Sequence, residues 1–303
     1  SSAVILFSSV VAIGGVSFAG VRRPGWWFVI YGILVFAMVP LDATVREWAP
    51  EVPADVITLF FAVNIVSTAG ISFMVILFFV QARNRLTREL EIERQRSDEL
   101  LRNVLPASIA DRLKDGEQPI ADRHDEVGVL FADIVDFTPT SEKMTANELV
   151  VGLNGVFSAF DSIVLEHGLE KVKTIGDAYM VVAGAPDPTA DITDLARCAI
   201  AMREAAAASQ LGDRRTLAMR FGMDLGPLIA GVIGESRLIY DVYGDTVNTA
   251  SRMESEGLPG RIQVTERVAG RLSADFVVTE RGIVDIKGKG PTRTFFLDGI
   301  GST

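Results

Sequence analysis

The chain has 303 residues and a net charge of −10 at pH 7, room for about two domains by the usual length expectation. The negative balance opposes a polyanionic partner and argues against a nucleic-acid binder; an anionic small substrate then needs basic residues placed locally. A single cysteine, Cys198, excludes an intrachain disulfide framework, and its neighbours Leu195, Ala196, Ala199 and Ile200 read as helix packing. The two histidines, His124 and His167, lack metal-ligand partners at helical spacing, which argues against zinc.

Apolar residues concentrate before residue 81 and charge after it. Three apolar runs lie at about 3–21, 26–41 and 56–80; the first and third have the roughly 20 residues that a helix needs to cross a bilayer, and the second is shorter but starts with Trp26 and Trp27, suited to a membrane interface. Arg22 and Arg23 separate the first two, Arg83, Arg85 and Arg88 follow the third, and the loop between the second and third carries Asp42, Glu47, Glu51 and Asp55 against Arg46 alone. By the positive-inside rule, the basic flanks and everything after residue 81 lie in the cytoplasm. The expectation is a multi-pass cell-membrane protein whose anchor, residues 1–81, contacts lipid. The chain enters its first apolar run at Ser1 without a basic stretch before it, which reads as a piece of a longer protein and not as a cleavable signal peptide. Asn64 in the third run reads as helix-packing glue.

Residues 82–105 are rich in Arg, Glu and Leu and free of Gly and Pro, predicting one helix that continues from the third span. In a heptad register Leu86, Leu90, Leu100 and Val104 take a and d positions, with Glu93 and Ser97 between them; a parallel dimeric coiled coil with a weak middle fits. Pro106 breaks the register and a short helix over 107–114 follows, ending at Gly116. Residues 82–116 thus form a linker ahead of a soluble domain at 117–303.

That domain opens with an apolar, β-branched run at 127–134, suited to a buried strand. Thr145-x-x-Glu148 is a capping box for a helix whose inner face is Leu149, Leu153, Val156, Phe157, Phe160 and Val164, stopped by Gly168. Two short strands at 169–175 and 178–183 flank Gly176-Asp177, a tight hairpin signal. A second helix covers 192–208, residues 217–225 and 228–233 read as another strand pair, and a helix at about 246–256 precedes several short strands. Strand, helix, two strands, helix, strand is the split pattern of an α+β, ferredoxin-like (βαββαβ) core.

In this order Asp133 ends a buried strand and Asp177 sits at a hairpin tip. If those strands are neighbours, both carboxylates converge on one sheet edge, where hard divalent cations such as Mg²⁺ find oxygen ligands; the alternative is that each is an ordinary turn or cap residue. No Walker A loop or dinucleotide fingerprint occurs, so a phosphate cradle has to come from elsewhere, and the backbone N–H groups of the turn at 135–138 are candidates.

Four segments resemble the class III adenylyl and guanylyl cyclases: Phe131-Ala132-Asp133-Ile134-Val135-Asp136-Phe137-Thr138; Glu170-Lys171-Val172-Lys173-Thr174-Ile175-Gly176-Asp177; residues 240–254, with Asp241, Asn248, Arg252 and Glu254; and Ile286-Lys287-Gly288-Lys289-Gly290. The likeness runs from about residue 100 to the end, and the membrane part is similar to bacterial anchored cyclases in layout only. The resemblance implies that Asp133 and Asp177, with the Ile134 carbonyl, hold two divalent ions, Mg²⁺ or Mn²⁺. Phe137 and Thr138 then offer backbone N–H groups to phosphates, and Lys173 and Asp241 read adenine. Asn248 and Arg252 orient the ribose and stabilise the transition state, and Lys287 binds the terminal phosphates, with Lys289 an equally placed neighbour. The substrate implied is ATP and the product 3′,5′-cyclic AMP. In that family the metal carboxylates and the base-reading residues of one site come from different subunits, which implies a homodimer. Lys173 and Asp241 set this chain apart from guanylyl members, which resemble Glu plus Cys at these positions. A guanylyl cyclase, a nonenzymatic receptor or scaffold, and a diguanylate cyclase are the alternatives; the last would carry a Gly-Gly-Asp/Glu-Glu-Phe hairpin where this chain has Ile175-Gly176-Asp177-Ala178. Asp224 stands where many relatives have His, and no catalytic consequence is attached to it.

Overall fold

The computed structural model describes residues 53–211, 215–234 and 236–301, together with the single positions 29, 33, 36 and 37. Apart from those four positions, the first two expected spans lie outside the described residues. The chain divides into two compact units, with the boundary between Ser97 and Asp98.

The described part of the first unit lies on α1 (Ala54–Arg102), a single helix of 49 residues that contains the whole third apolar run. It is long and apolar enough to cross a membrane. Polar side chains in it turn back onto their own helix: Thr58 Oγ1 donates to the Ala54 carbonyl at 2.8 Å and Asn64 Nδ2 to that of Phe60 at 3.0 Å. Leu86, Leu90 and Leu100 are exposed along α1. The expected helix to residue 105 stops at Arg102, so Val104 lies beyond it. Pro106 disfavours helical geometry at the residue before it, and the N–H groups of Val104 and Leu105 both turn to the Leu101 carbonyl, at 3.2 and 3.0 Å. The chain re-enters helix at α2 (Ala107–Lys114).

The second unit is built on a twisted sheet. Its strands are β1 (Ala121–Ile134), β2 (Glu170–Ile175), β3 (Ala178–Ala183), β6 (Met219–Ile233), β7 (Ile239–Tyr243), β8 (Ile262–Thr265), β9 (Phe276–Ile286) and β10 (Gly290–Ile300), in the order β2-β3-β1-β6-β8-β10-β9 with β7 alongside β6. A two-stranded ribbon of β4 (Gln210–Leu211) and β5 (Arg215–Thr216) stands apart. The helices are α3 (Phe137–Ser141), α4 (Ala146–Glu166), α5 (Ile192–Ala208), α6 (Asp245–Ser255) and α7 (Glu266–Leu272). The antiparallel neighbours β2-β3-β1-β6, crossed by α4 and α5, are the split βαββαβ core expected from the sequence.

Local chemistry sets the helix ends. Thr145 and Glu148 form a reciprocal capping box on α4, and Asp191 and Asp194 form one on α5. Gly168, at φ +64°, closes α4 in a Schellman turn, with its N–H on Leu165 and that of Leu169 on Val164. α4 is apolar enough to pass a length-and-composition test for a span, yet Val156, Phe160 and Val164 bury one stripe of it against the sheet.

One expectation changes. Residues 217–225 and 228–233 do not form a strand pair; from Met219 on they belong to one strand, β6, of 15 residues. Pro227 sits inside it because β1 bulges opposite: the register jumps from Val127↔Gly226 to His124↔Leu228, leaving Pro227 against two residues. A proline without an N–H costs no ladder bond at such a bulge.

One core lies between the sheet and α4, α5 and α7, around Phe160, Tyr179, Leu195 and Met223. The other face carries Ile109 and Ala110 of α2, Tyr240 and Val242 of β7, and Ala250 of α6. α6 docks on β6 over a glycine. A Cβ at Gly222 would stand 2.0 Å from the Glu254 amide nitrogen and 2.5 Å from the Ala250 carbonyl oxygen, both helix backbone that cannot swing aside. Gly222→Ala is therefore expected to push α6 off the sheet and destabilise the unit by about 1–3 kcal/mol, read as a lower melting temperature. A melting temperature equal to wild type would show that α6 is not held this closely.

Candidate active site

β1 delivers Asp133 to its C-terminal end, where the register pairs it with Arg220 of β6. The β2–β3 hairpin delivers Asp177: Ile175 pairs with Ala178 across the two-residue loop Gly176-Asp177, with Gly176 at φ +65°, the arrangement of a type II′ turn. Because β3 lies beside β1, the two carboxyl groups come to the same end of the sheet, close enough for the charge of Asp133 to act on Asp177. Burial first, and then the charge of Asp133, raise Asp177 above the usual carboxylate range.

Arg220 holds this cluster together, and sequence reasoning assigned it no role. Its Nη2 lies 3.2 Å from Asp133 Oδ2 and its Nε 3.0 Å from Glu254 Oε1 on α6. Glu254 is buried, and burial together with the Asp133 charge pushes it up to about 7, with Arg220 opposing. The visible signal was a lone arginine within the apolar run at 217–225. Hard carboxylate oxygens crowded together and short of positive charge fit a divalent cation such as Mg²⁺ or Mn²⁺.

After β1 the chain turns sharply. Asp136 adopts φ +53°, ψ 37°, the one non-glycine residue at positive φ among those described, and caps the short helix α3. Phe137 and Thr138 are the first two residues of α3, where amide N–H groups lack helical partners. Pro139, next in line, has no N–H to add.

Lys173 and Asp241 come together on the face that carries α2 and β7. Lys173 Nζ lies 2.5 Å from Asp241 Oδ2. A bulge makes this possible: in β2 the register passes from Lys171↔Val181 to Lys173↔Met180, leaving Val172 unopposed. Residues two apart in a strand normally share a face, but here Lys171 reaches Asp161 on α4 at 2.6 Å while Lys173 reaches β7. Asp241 also accepts from the Val242 amide at 2.9 Å and the Tyr243 hydroxyl at 3.1 Å.

On α6, Thr246, Thr249, Ala250 and Met253 are buried, whereas Asn248 is exposed and Arg252 half-buried on the other side. Neither side chain makes a hydrogen bond or ion pair among the described residues, so the stripe faces away from its own sheet. Lys287 and Lys289 flank the β9–β10 turn, closed by Lys289 N–H on the Ile286 carbonyl at 2.9 Å with Gly288 at φ +81°. The turn separates the two lysines: Lys289 Nζ binds Asp245 on the first turn of α6 at 2.7 Å, and Lys287 is exposed without an ion pair among the described residues. Asp224 is fully buried and accepts from Thr265 Oγ1 at 2.7 Å and Arg267 at 2.9 Å; it is tied into the sheet beneath α6.

Comparisons with known proteins place the chain in a family. Residues 120–299 match the family described as the adenylate and guanylate cyclase catalytic domain, and the chain belongs to that family. It is 46% identical over 267 residues to proteins named adenylate cyclase from Mycobacterium bovis and Mycobacterium tuberculosis, covering 86% of this chain. The chain spans only 58% of the length of those relatives. It is 40% identical over 220 residues to human retinal guanylyl cyclase 1, covering 70% of this chain and 20% of that protein. Among solved structures it resembles the guanylate cyclase domain of RhGC from Catenaria anguillulae in complex with GTP, with 31% identity and a TM-score of 0.58 over 59% of this chain and all of that one. The adenylyl cyclase CyaB from P. aeruginosa is similar at 26% identity and a TM-score of 0.54, covering 60% of this chain and 96% of that one.

One prediction follows from β2. Glu170, at its start, is pushed from 4.5 up to about 7 by burial alone. A carboxyl whose folded value is raised keeps its proton in the native state, so its stability contribution is lost as pH rises from about 4.5 to 7. Glu170→Gln should remove up to ~3 kcal/mol of that decline, seen as a smaller difference between melting temperatures at pH 5 and 7.5. An unchanged difference would contradict the assignment.

Proposed function

We propose that the chain converts ATP to 3′,5′-cyclic AMP and pyrophosphate, at sites completed by pairing with a second copy of itself. The observation that carries this reading is the convergence of Asp133 and Asp177 on one sheet edge beside Arg220. The reaction is attack of the ribose 3′-oxygen on the α-phosphorus, with pyrophosphate leaving. Asp133, Asp177 and the Ile134 carbonyl would hold two divalent ions, which when bound favour loss of the 3′-hydroxyl proton and neutralise charge on the leaving group.

The remaining work falls to the chain's own groups. The amides of Phe137 and Thr138 bind phosphate oxygens, and Lys287 meets the terminal phosphates. Asn248 and Arg252, four apart on one helix face, orient the ribose and stabilise charge that develops at the phosphorus; arginine suits this role because its planar fork matches phosphate oxygens. Lys173 donates to adenine N1 and Asp241 accepts from the 6-amino group, a pattern that guanine reverses. The outward direction of the Asn248–Arg252 stripe supports a site shared between two copies, because these side chains turn away from the sheet that bears their own chain's aspartates.

We read α1 as the last of three spans in a multi-pass anchor over residues 1–81, in contact with lipid, with the catalytic domain cytoplasmic. Exposed Leu86, Leu90 and Leu100 support a parallel coiled coil in the linker at 82–116, with Glu93 and Ser97 as its weak layer. The purified chain is expected to form cyclic AMP from ATP with Mg²⁺ or Mn²⁺, and Asp177→Ala to reduce the rate at least 100-fold without lowering the melting temperature. Cyclic AMP formation by Asp177→Ala at the wild-type rate would remove Asp177 from the metal site.

A further inference from the structure

The Lys173–Asp241 pair has a third member that the reaction scheme does not use. In β7 the odd-numbered residues Ile239, Asp241 and Tyr243 share one face, while Tyr240 and Val242 are buried in the core. Both oxygens of Asp241 are engaged: Oδ1 accepts from the Val242 amide at 2.9 Å, and Oδ2 accepts from Lys173 Nζ at 2.5 Å and from the Tyr243 hydroxyl at 3.1 Å. From this geometry we infer that Tyr243 is a positioning residue for base selection: its hydroxyl fixes the Asp241 carboxylate as an oriented acceptor and so favours a 6-amino purine over a 6-oxo purine. The inference rests on the reading that Lys173 and Asp241 meet the base.

The need for a third donor follows from what Lys173 has to do. To donate to a ring nitrogen its ammonium must turn, at least in part, from Asp241. With Lys173 as its only side-chain donor, the carboxylate would then be free to rotate about its last torsion. Val242 and Tyr243 each keep one oxygen, so the carboxylate plane survives the departure of Lys173. The tyrosine is suited to this because burial, and then its bond to Asp241, make it hold its proton more firmly than an ordinary phenol, so it stays a donor. Its ring is half exposed and is paired across the ladder with Ile229, so the hydroxyl can be removed without opening the core. A fixed carboxylate can only accept. A 6-oxo base would set an acceptor against it and an N1–H against the Lys173 ammonium, two mismatches that select by repulsion.

The test is Tyr243→Phe in the full-length chain, with kcat and KM measured for ATP and for GTP. A hydrogen bond to a charged group is worth about five- to tenfold in binding. The expected result is a KM for ATP raised by about that factor with kcat within about twofold, an unchanged KM for GTP, and a melting temperature equal to wild type. The preference for ATP over GTP, as the ratio of kcat/KM values, then falls about five- to tenfold. An ATP-selective wild type whose Tyr243→Phe variant is equally selective overturns this inference alone, as does an equal loss of kcat with both nucleotides, which marks a general structural role. A wild type that turns over GTP as well as ATP overturns the adenine reading, and this inference with it.

Discussion

Asp133 and Glu254 share the single guanidinium of Arg220, and Asp177 lies near enough to feel both Asp133 and that guanidinium. Two like charges about 4 Å apart repel by roughly 4 kcal/mol at an effective dielectric near 20, and one arginine cannot balance three ionised acids. Burial and this repulsion raise both Asp177 and Glu254 above the usual carboxylate range. In the proposed reading, a divalent ion held by Asp133 and Asp177 would answer the same imbalance more fully. Folding stability is given up at this edge, a common feature of sites that must bind charge.

The rest of the catalytic unit holds these groups in place. β1 and β6 run side by side so that Asp133 and Arg220 pair, and the type II′ hairpin presents Asp177 at the start of β3 on the other side of β1. Gly222 lets α6 lie close enough to β6 for Glu254 to reach Arg220, and the same contact sets the outward angle of Asn248 and Arg252. Asp133 and Glu254 on one side and Asn248 and Arg252 on the other are thus coupled through one helix–strand contact. The bulge at Val172 turns Lys173 to Asp241 while Lys171 stays on the α4 side.

Much of this was legible in the sequence where a local rule decides. The capping box at Thr145, the stop at Gly168, the Gly176-Asp177 hairpin and the helix at 192–208 each depend on residues close together in the chain. The βαββαβ order follows from such elements taken in sequence. What could not be read depends on register between distant strands. Pro227 suggested a break, but a bulge in β1, about a hundred residues earlier, accommodates it inside β6. Lys171 and Lys173 look equivalent by period two, and only the bulge separates them. Arg220 was visible as a charge in an apolar strand, yet its partners come from β1 and α6. The a/d pattern counted Val104 as helical, whereas Pro106 ends α1 before it.

In the proposed arrangement one chain holds the two halves of two different sites: Asp133 and Asp177 on one side, Asn248 and Arg252 on the other. The direct measurement is cyclic AMP formation by Asp133→Ala and Arg252→Ala chains, each alone and then co-expressed. Each variant alone should be inactive. Mixed dimers should recover activity, because one of their two sites draws an intact Asp133 from one chain and an intact Arg252 from the other. Absence of recovery, with mixed dimers shown to form, would contradict the shared site.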